Sequence, residues 1–245
     1  MSKVIVITGA GVGLGRTLAR RFAADGDQVV LLGRTAAKVE AAANEIGERA
    51  MALGCDVGQP DSVRAAFKAI ADRHGRIDVL INNAAIFEPY KLVDATDEQL
   101  LNAVNTNLLG PMLCVRSAVP LMQSGALIIN VTSESVDIRL PHLIPYQSTK
   151  AGVEGLTRNL ADELRPEGIR VTAIRCGQMF EEGKTWDVDM NAAMAFHQEA
   201  MARGINLRER PISQFASLET IFRTVIDLPP DVHSEFITVG GRHPN

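Results

Sequence analysis

Thr8-Gly9-Ala10-Gly11-Val12-Gly13-Leu14-Gly15-Arg16 follows directly on the apolar run Val4-Ile5-Val6-Ile7 and leads into a helical pattern from Arg16 to Ala24. A strand that turns so tightly into a helix gathers backbone N–H groups at the positive end of the helix dipole. They can cradle a pyrophosphate there, provided no Cβ stands in the way. The spacing is TGxxxGxG, on Thr8, Gly9, Gly13 and Gly15. It is not GxGxxG, because Leu14 or Arg16 occupies the third glycine position, depending on whether one counts from Gly9 or Gly11. A glycine-rich turn in strand–turn–helix order predicts a dinucleotide site.

Outward from this turn, short β-rich runs alternate with longer stretches of helical period. Lys3 to Thr8, Val29 to Leu32, Ala50 to Gly54, Val79 to Asn82, Ala126 to Thr132, Ile169 to Ile174 and Phe236 to Val239 read as strands. Most are nearly continuous apolar runs, as strands covered on both faces require. Helices are expected over Arg16 to Ala24, Ala36 to Ile46, Asp61 to His74, Asp97 to Met122, Tyr146 to Leu164 and Leu218 to Leu228, with Pro60-Asp61 and Thr96-Asp97 as start signals. The rhythm predicts an α/β fold: a Rossmann-like, doubly wound parallel sheet of about seven strands with helices on both faces. No repeat or linker divides residues 1–245, so one dinucleotide-binding and catalytic domain is expected. From about 178 to 211 the rhythm breaks into charges mixed with Met179, Phe180, Trp186, Met190, Met194, Phe196 and Met201, which reads as an inserted substrate lid.

Composition narrows the function. Lys+Arg 25 against Asp+Glu 29 gives a net charge of -4 without a basic block, so neither nucleic acid nor an anionic membrane is an expected partner. Cys55, Cys114 and Cys176 are far apart and form no CxxC, and the five histidines form no HExxH, so no metal is expected. No signal-like or bilayer-length apolar run is present, and with unpaired cysteines this predicts a cytoplasmic protein.

At the end of the second strand an NAD-preferring site would carry an acid for the adenosine ribose, and here stand Gly33-Arg34. A guanidinium at that point can pair with a 2′-phosphate, so NADP(H) is favoured over NAD(H). Farther along, Tyr146-Gln147-Ser148-Thr149-Lys150 places a phenol and an ammonium on one helix face, and a lysine within about 4 to 6 Å favours phenolate. Ile128-Ile129-Asn130-Val131-Thr132-Ser133 brings hydroxyls to the carboxyl end of a central strand, where open α/β sheets bind ligands.

With these residues in view the chain resembles the classical short-chain dehydrogenase/reductase family, from Thr8 to about Gly241. The matching motifs are TGxxxGxG, Asp56-Val57, Asn82-Asn83-Ala84-Ala85, Asn107 in Thr106-Asn107-Leu108-Leu109-Gly110, Ser133, and Tyr146 with Lys150. The resemblance implies that Tyr146 exchanges a proton with a carbonyl or alcohol oxygen while hydride passes at the nicotinamide. Ser133 would hydrogen-bond that oxygen, Lys150 would lower the tyrosine pKa and bind the nicotinamide ribose, and Asn107 would hold a water that continues the proton path. Gly9, Val12, Gly13, Leu14, Gly15, Arg34, Asp56, Val57, Asn83, Ala84 and Gly177 would join Tyr146 and Lys150 in binding the cofactor. A homodimer or homotetramer is also implied, commonly through the helix carrying Lys150.

The chain departs from the family at Ala85, where the pattern has glycine, and at Arg175-Cys176-Gly177-Gln178-Met179-Phe180-Glu181, where it has PGxxxT. Cys176 then reads as a small buried residue, and Glu181 occupies the threonine position. Arg139 and His142 would border the substrate opening, and the Met/Phe/Trp content of the lid suggests a bulky or apolar ketone or alcohol. The expected function is an NADP(H)-dependent oxidoreductase on a ketone/secondary alcohol pair. The alternatives are a catalytically silent NADP(H)-binding sensor, a 3-oxoacyl-acyl-carrier-protein reductase, and an epimerase or dehydratase of the extended relatives, which resemble TGxxGxxG instead.

Overall fold

The computed structural model describes residues 2–180, 188–229 and 231–242. In chain order the elements are β1 Val4–Thr8, α1 Gly13–Ala24, β2 Gln28–Gly33, α2 Ala36–Ile46, β3 Ala50–Gly54, α3 Pro60–His74, β4 Val79–Asn82, α4 Asp97–Val104, α5 Gly110–Ala118, β5 Leu127–Ser133, α6 Ile144–Glu163, β6 Arg170–Cys176, β7 Met179–Phe180, α7 Met190–Ala202, β8 Ser213–Gln214, α8 Phe215–Ile226 and β9 Phe236–Val239. Seven strands form one parallel sheet in the order β3-β2-β1-β4-β5-β6-β9. The expected doubly wound architecture is therefore present.

All five residues of β1 are buried, and their alternation explains how. Ile5 and Ile7 face a core layer shared with Leu18 and Phe22 of α1 and Phe222 of α8. Val4 and Val6 face the opposite layer, with Phe67 and Ile70 of α3 and Leu113 and Cys114 of α5. A period of two with both sides covered is the signature of a central parallel strand. Ile5 lies beside Val29 of β2 and Val79 of β4, so the chain winds outward in both directions from β1. The crevice at the carboxyl ends of β1 and β4 is where such sheets place ligands.

One expected helix is two. The stretch Asp97 to Met122 starts as foreseen, with a capping box between Thr96 and Gln99, but α4 ends at Val104. A π-helical turn, Asn105–Leu109, leads into α5, and a 3-10 turn, Val119–Leu121, follows it. Pro111 has no N–H to offer the carbonyl one helical turn earlier, and the Gly110 N–H reaches back to Asn105, five residues away. Apolar periodicity alone continues through such a turn without a mark.

β7, at the start of the 178–211 segment, pairs with β8, just past its end, outside the main sheet. The segment's helix α7 buries Phe196 and Ala200, which with Leu207 pack on Leu143, Leu140 and Tyr146. Met190, Met194 and Met201 are exposed, while Met179 lines the cavity described below. Trp186 and Glu181 lie outside the described residues.

Candidate active site

The glycine turn is built by contacts that exclude side chains. Gly9 has φ +66, in the left-handed region, and a Cβ there would stand 2.8 Å from Ala84 Cα. At Gly15 a Cβ would stand 2.6 Å from the Gly9 carbonyl oxygen and 2.7 Å from Asn83 Nδ2. The Thr8 hydroxyl accepts from the N–H groups of Asn83 (2.9 Å) and Ala84 (3.0 Å), and Asn83 Nδ2 donates to the Thr8 carbonyl at 2.9 Å. The turns after β1 and β4 are thereby fastened together. No side chain caps α1 at Val12, so the helix start stays available to a phosphate.

This turn forms one end of a cavity of about 730 Å³. Gly9, Val12, Gly13, Leu14, Gly33, Arg34, Asp56, Val57, Asn83 and Ala84 line it, and so do Ser133, Tyr146, Lys150 and Gly177. Arg34 is exposed beside β2, with no ion pair among the described residues. Asp56 uses Oδ1 to accept from Gly58 N–H at 2.9 Å, and Val57 is buried against Gly110. Gly15 supports the turn from behind and is not part of the lining.

Ser133, Tyr146 and Lys150 meet at the carboxyl end of β5. Lys150 is buried, donates from Nζ to the Val131 carbonyl at 2.8 Å, and lies 5.7 Å from the Tyr146 ring centroid. Phe87 packs edge-on against the same ring at 4.8 Å. Burial pushes the Tyr146 phenol up to about 12, while the nearby Ser133 hydroxyl pulls it down. Burial lowers Lys150 to about 8. In the protein alone, removal from water is the largest influence on the phenol. Cys176, buried and raised to about 12, is a packing residue beside Lys150, as expected.

Asn107 sits in the π-helical turn, almost fully buried. Its Oδ1 accepts from Ile86 N–H at 2.7 Å, and its Nδ2 donates to Ile86 O at 3.0 Å and to Thr149 Oγ1 at 3.3 Å. The amide therefore joins the helix bend to the segment after β4. Arg139 is exposed and outside the cavity lining, and so is half-buried His142, at φ +57.

The short chain dehydrogenase family pattern matches residues 3–185. The chain belongs to that family. It is an oxidoreductase of CH–OH and C=O groups with a nicotinamide-binding fold. A 3beta-hydroxysteroid dehydrogenase of Mediterraneibacter gnavus is 37% identical over 70% of this chain and 64% of its own length. The 3-oxoacyl-acyl-carrier-protein reductase FabG of Staphylococcus aureus is 32% identical over 100% of this chain and 97% of its own. The crystal structure of a Brucella melitensis 3-ketoacyl-(acyl-carrier-protein) reductase complexed with NADH matches with a TM-score of 0.82 at 28% identity, covering 98% of this chain and 97% of that one.

In this short-chain dehydrogenase, three ion pairs near the site were not legible in the sequence. Glu154, buried one helical turn beyond Lys150, accepts from Arg175 Nε at 2.9 Å and Nη2 at 2.7 Å, and from Thr132 Oγ1 at 3.2 Å. Arg175 also pairs with Asp137. Glu134, next to Ser133, pairs with Arg210 at 2.7 Å. A charge inside apolar β6 and a carboxylate four residues beyond Lys150 were the available signals for the first pair. No local spacing links Glu134 to Arg210. Among the described residues no helix is long and apolar enough to cross a membrane, and no His/Cys/Asp/Glu cluster could hold a metal.

Proposed function

We propose that this chain is an NADP(H)-dependent oxidoreductase that interconverts a ketone and a secondary alcohol, with Tyr146 as general acid–base. The observation that carries this reading is that Ser133, Tyr146 and Lys150 line the same cavity as the glycine turn and Arg34. A bound nicotinamide cofactor supplies or accepts the hydride. Gly9, Gly13 and the uncapped α1 start hold its pyrophosphate, and Arg34 pairs with its 2′-phosphate.

In reduction, the substrate oxygen takes a hydrogen bond from Ser133 and a proton from Tyr146. The phenol holds its proton at neutral pH, as the acid step requires, and Lys150 and a bound cofactor would ease its release. Lys150 places a cation beside the phenolate left behind, and Asn107 positions the helix bend that backs it. Phe87, Leu140, Phe196 and Leu207 favour a bulky, apolar substrate. Likeness to FabG along the whole chain supports a second reading, a 3-oxoacyl-acyl-carrier-protein reductase with the same chemistry on a tethered substrate. Three free, buried cysteines fit a cytoplasmic setting, and exposed Leu101, Val104 and Met112 on α4 and α5 fit a homodimer or homotetramer.

The test is oxidation of NADPH and of NADH, side by side, with bulky ketones and β-ketoacyl thioesters, free and carrier-bound, by wild type and Tyr146→Phe. Turnover with NADPH that disappears in the Phe variant while cofactor binding persists is the expected result. Retained turnover in the variant overturns the mechanism, preference for NADH overturns the role of Arg34, and activity on carrier-bound thioesters alone selects the second reading.

A further inference from the structure

The end of the cavity beyond Tyr146 is mostly apolar, and it holds one ion pair beside the polar Gln178 and His197. Glu134 opens the short turn Glu134–Val136 that follows Ser133, and Arg210 closes the segment returning from α7. Their side chains are 28% and 22% exposed, and both line the cavity. The second Glu134 oxygen lies 3.2 Å from where a Cβ on Gly177 would stand, so this carboxylate rests against the backbone that follows β6. Asp137, just past the same turn, pairs with Arg175. Two arginines from distant parts of the chain thus hold both ends of the turn, and the Glu134 charge cannot swing out of the cavity without breaking its pair.

We propose that the Glu134–Arg210 pair sets the charge of the substrate: the intact pair makes this site selective for neutral, apolar ketones and turns away those that carry a carboxylate. The inference rests on the ketone-reductase reading and names its substrate class. A carboxylate entering beside Phe87, Leu140 and Phe196 loses its water, meets Glu134, and finds the guanidinium already neutralised. Of the other basic groups in the described lining, Lys150 is bonded to the Val131 carbonyl and Arg34 lies at the opposite end, beside β2; His197 on α7 carries no carboxylate-matching fork. Removing the Glu134 charge leaves Arg210 free to take a substrate carboxylate through two parallel hydrogen bonds.

The experiment is calorimetric titration of NADPH-loaded protein with para-acetylbenzoate and with its methyl ester, which differ in charge and little else. Wild type should bind the ester at least about tenfold more tightly. Glu134→Gln should bind the acid about tenfold more tightly than wild type does, with the ester changed by less than about threefold. Glu134→Asp should keep the wild-type preference, and the Glu134→Gln, Arg210→Gln double variant should lose the gain. The pair is partly exposed, so these variants should fold, which thermal melting checks. Equal binding of acid and ester by wild type, no binding of either, or no gain for the acid in Glu134→Gln overturns the proposal. NADPH oxidation by the ester in the same samples reports separately on the ketone-reductase reading: tight binding without reduction counts against that reading and leaves the charge preference standing.

Discussion

Lys150 Nζ donates to the main-chain carbonyl of Val131 at 2.8 Å, while the ring centroid of Tyr146 lies 5.7 Å away. The ammonium is thus anchored first to β5 and only second to the phenol. The strand that carries Ser133 therefore also fixes where the cation stands.

A buried lysine lowered to about 8 costs stability wherever it is charged. The folded protein gives up this proton more readily than the unfolded chain, whose lysine titrates near its ordinary 10.5. The cost is full below pH 8 and fades between pH 8 and 10.5. Lys150→Met should therefore abolish activity yet raise stability at pH 7, by at most about 3 kcal/mol, less the lost Val131 hydrogen bond. Urea melts at pH 7 and pH 10 should show the gain shrinking at the higher pH.

Tyr146 and Tyr90 are the two tyrosines of the chain, and burial raises both. In a Tyr90→Phe background, ultraviolet titration should show no phenolate through pH 10 while the protein stays folded. Saturation with NADP⁺, a nearby positive charge, should bring the Tyr146 transition down by about one to three pKa units. An unchanged transition would remove the cofactor from the proton-transfer account.

Gly15→Ala places a methyl against the Gly9 carbonyl and the Asn83 amide. Both neighbours belong to the fastened turns, so neither yields easily. The variant should lose about 1 to 3 kcal/mol of stability, by denaturant melts, and bind NADPH more weakly.

Arg34→Ala should raise the KM for NADPH by about tenfold or more, in line with loss of a charge-assisted hydrogen bond of about 1.5 to 3 kcal/mol, and leave that for NADH nearly unchanged. Side-by-side cofactor kinetics check this, and equal losses for both would place Arg34 away from the 2′-phosphate.

Glu154→Gln uncouples α6 from Arg175 and leaves that guanidinium only Asp137. Because Arg175 keeps some exposure and one partner, the expected loss is about 2 to 3 kcal/mol, below the usual range for a broken buried pair. Glu154→Gln combined with Arg175→Met should recover part of it, read from thermal and denaturant melts.

The alternation of strands and helices, the glycine turn and the spacing of Tyr146 and Lys150 are legible in the chain, because each is written in local terms. Strands β1, β2, β4, β5 and β6 are largely apolar runs whose burial requires neighbours on both faces, and the glycines after β1 answer a steric demand of the turn. Tertiary structure alone decided four other matters. The bend at Asn107 depends on a bond to Ile86, 21 residues earlier, which helical periodicity does not encode. Asn83 turned out to brace Thr8 across two strands. How far Tyr146 is removed from water depends on what packs around it, including Phe87 and the segment returning from α7. Glu134 and Arg210 meet because a segment leaving one end of β6 folds back over β5, and only the folded chain brings two charges so far apart in sequence to within 2.7 Å.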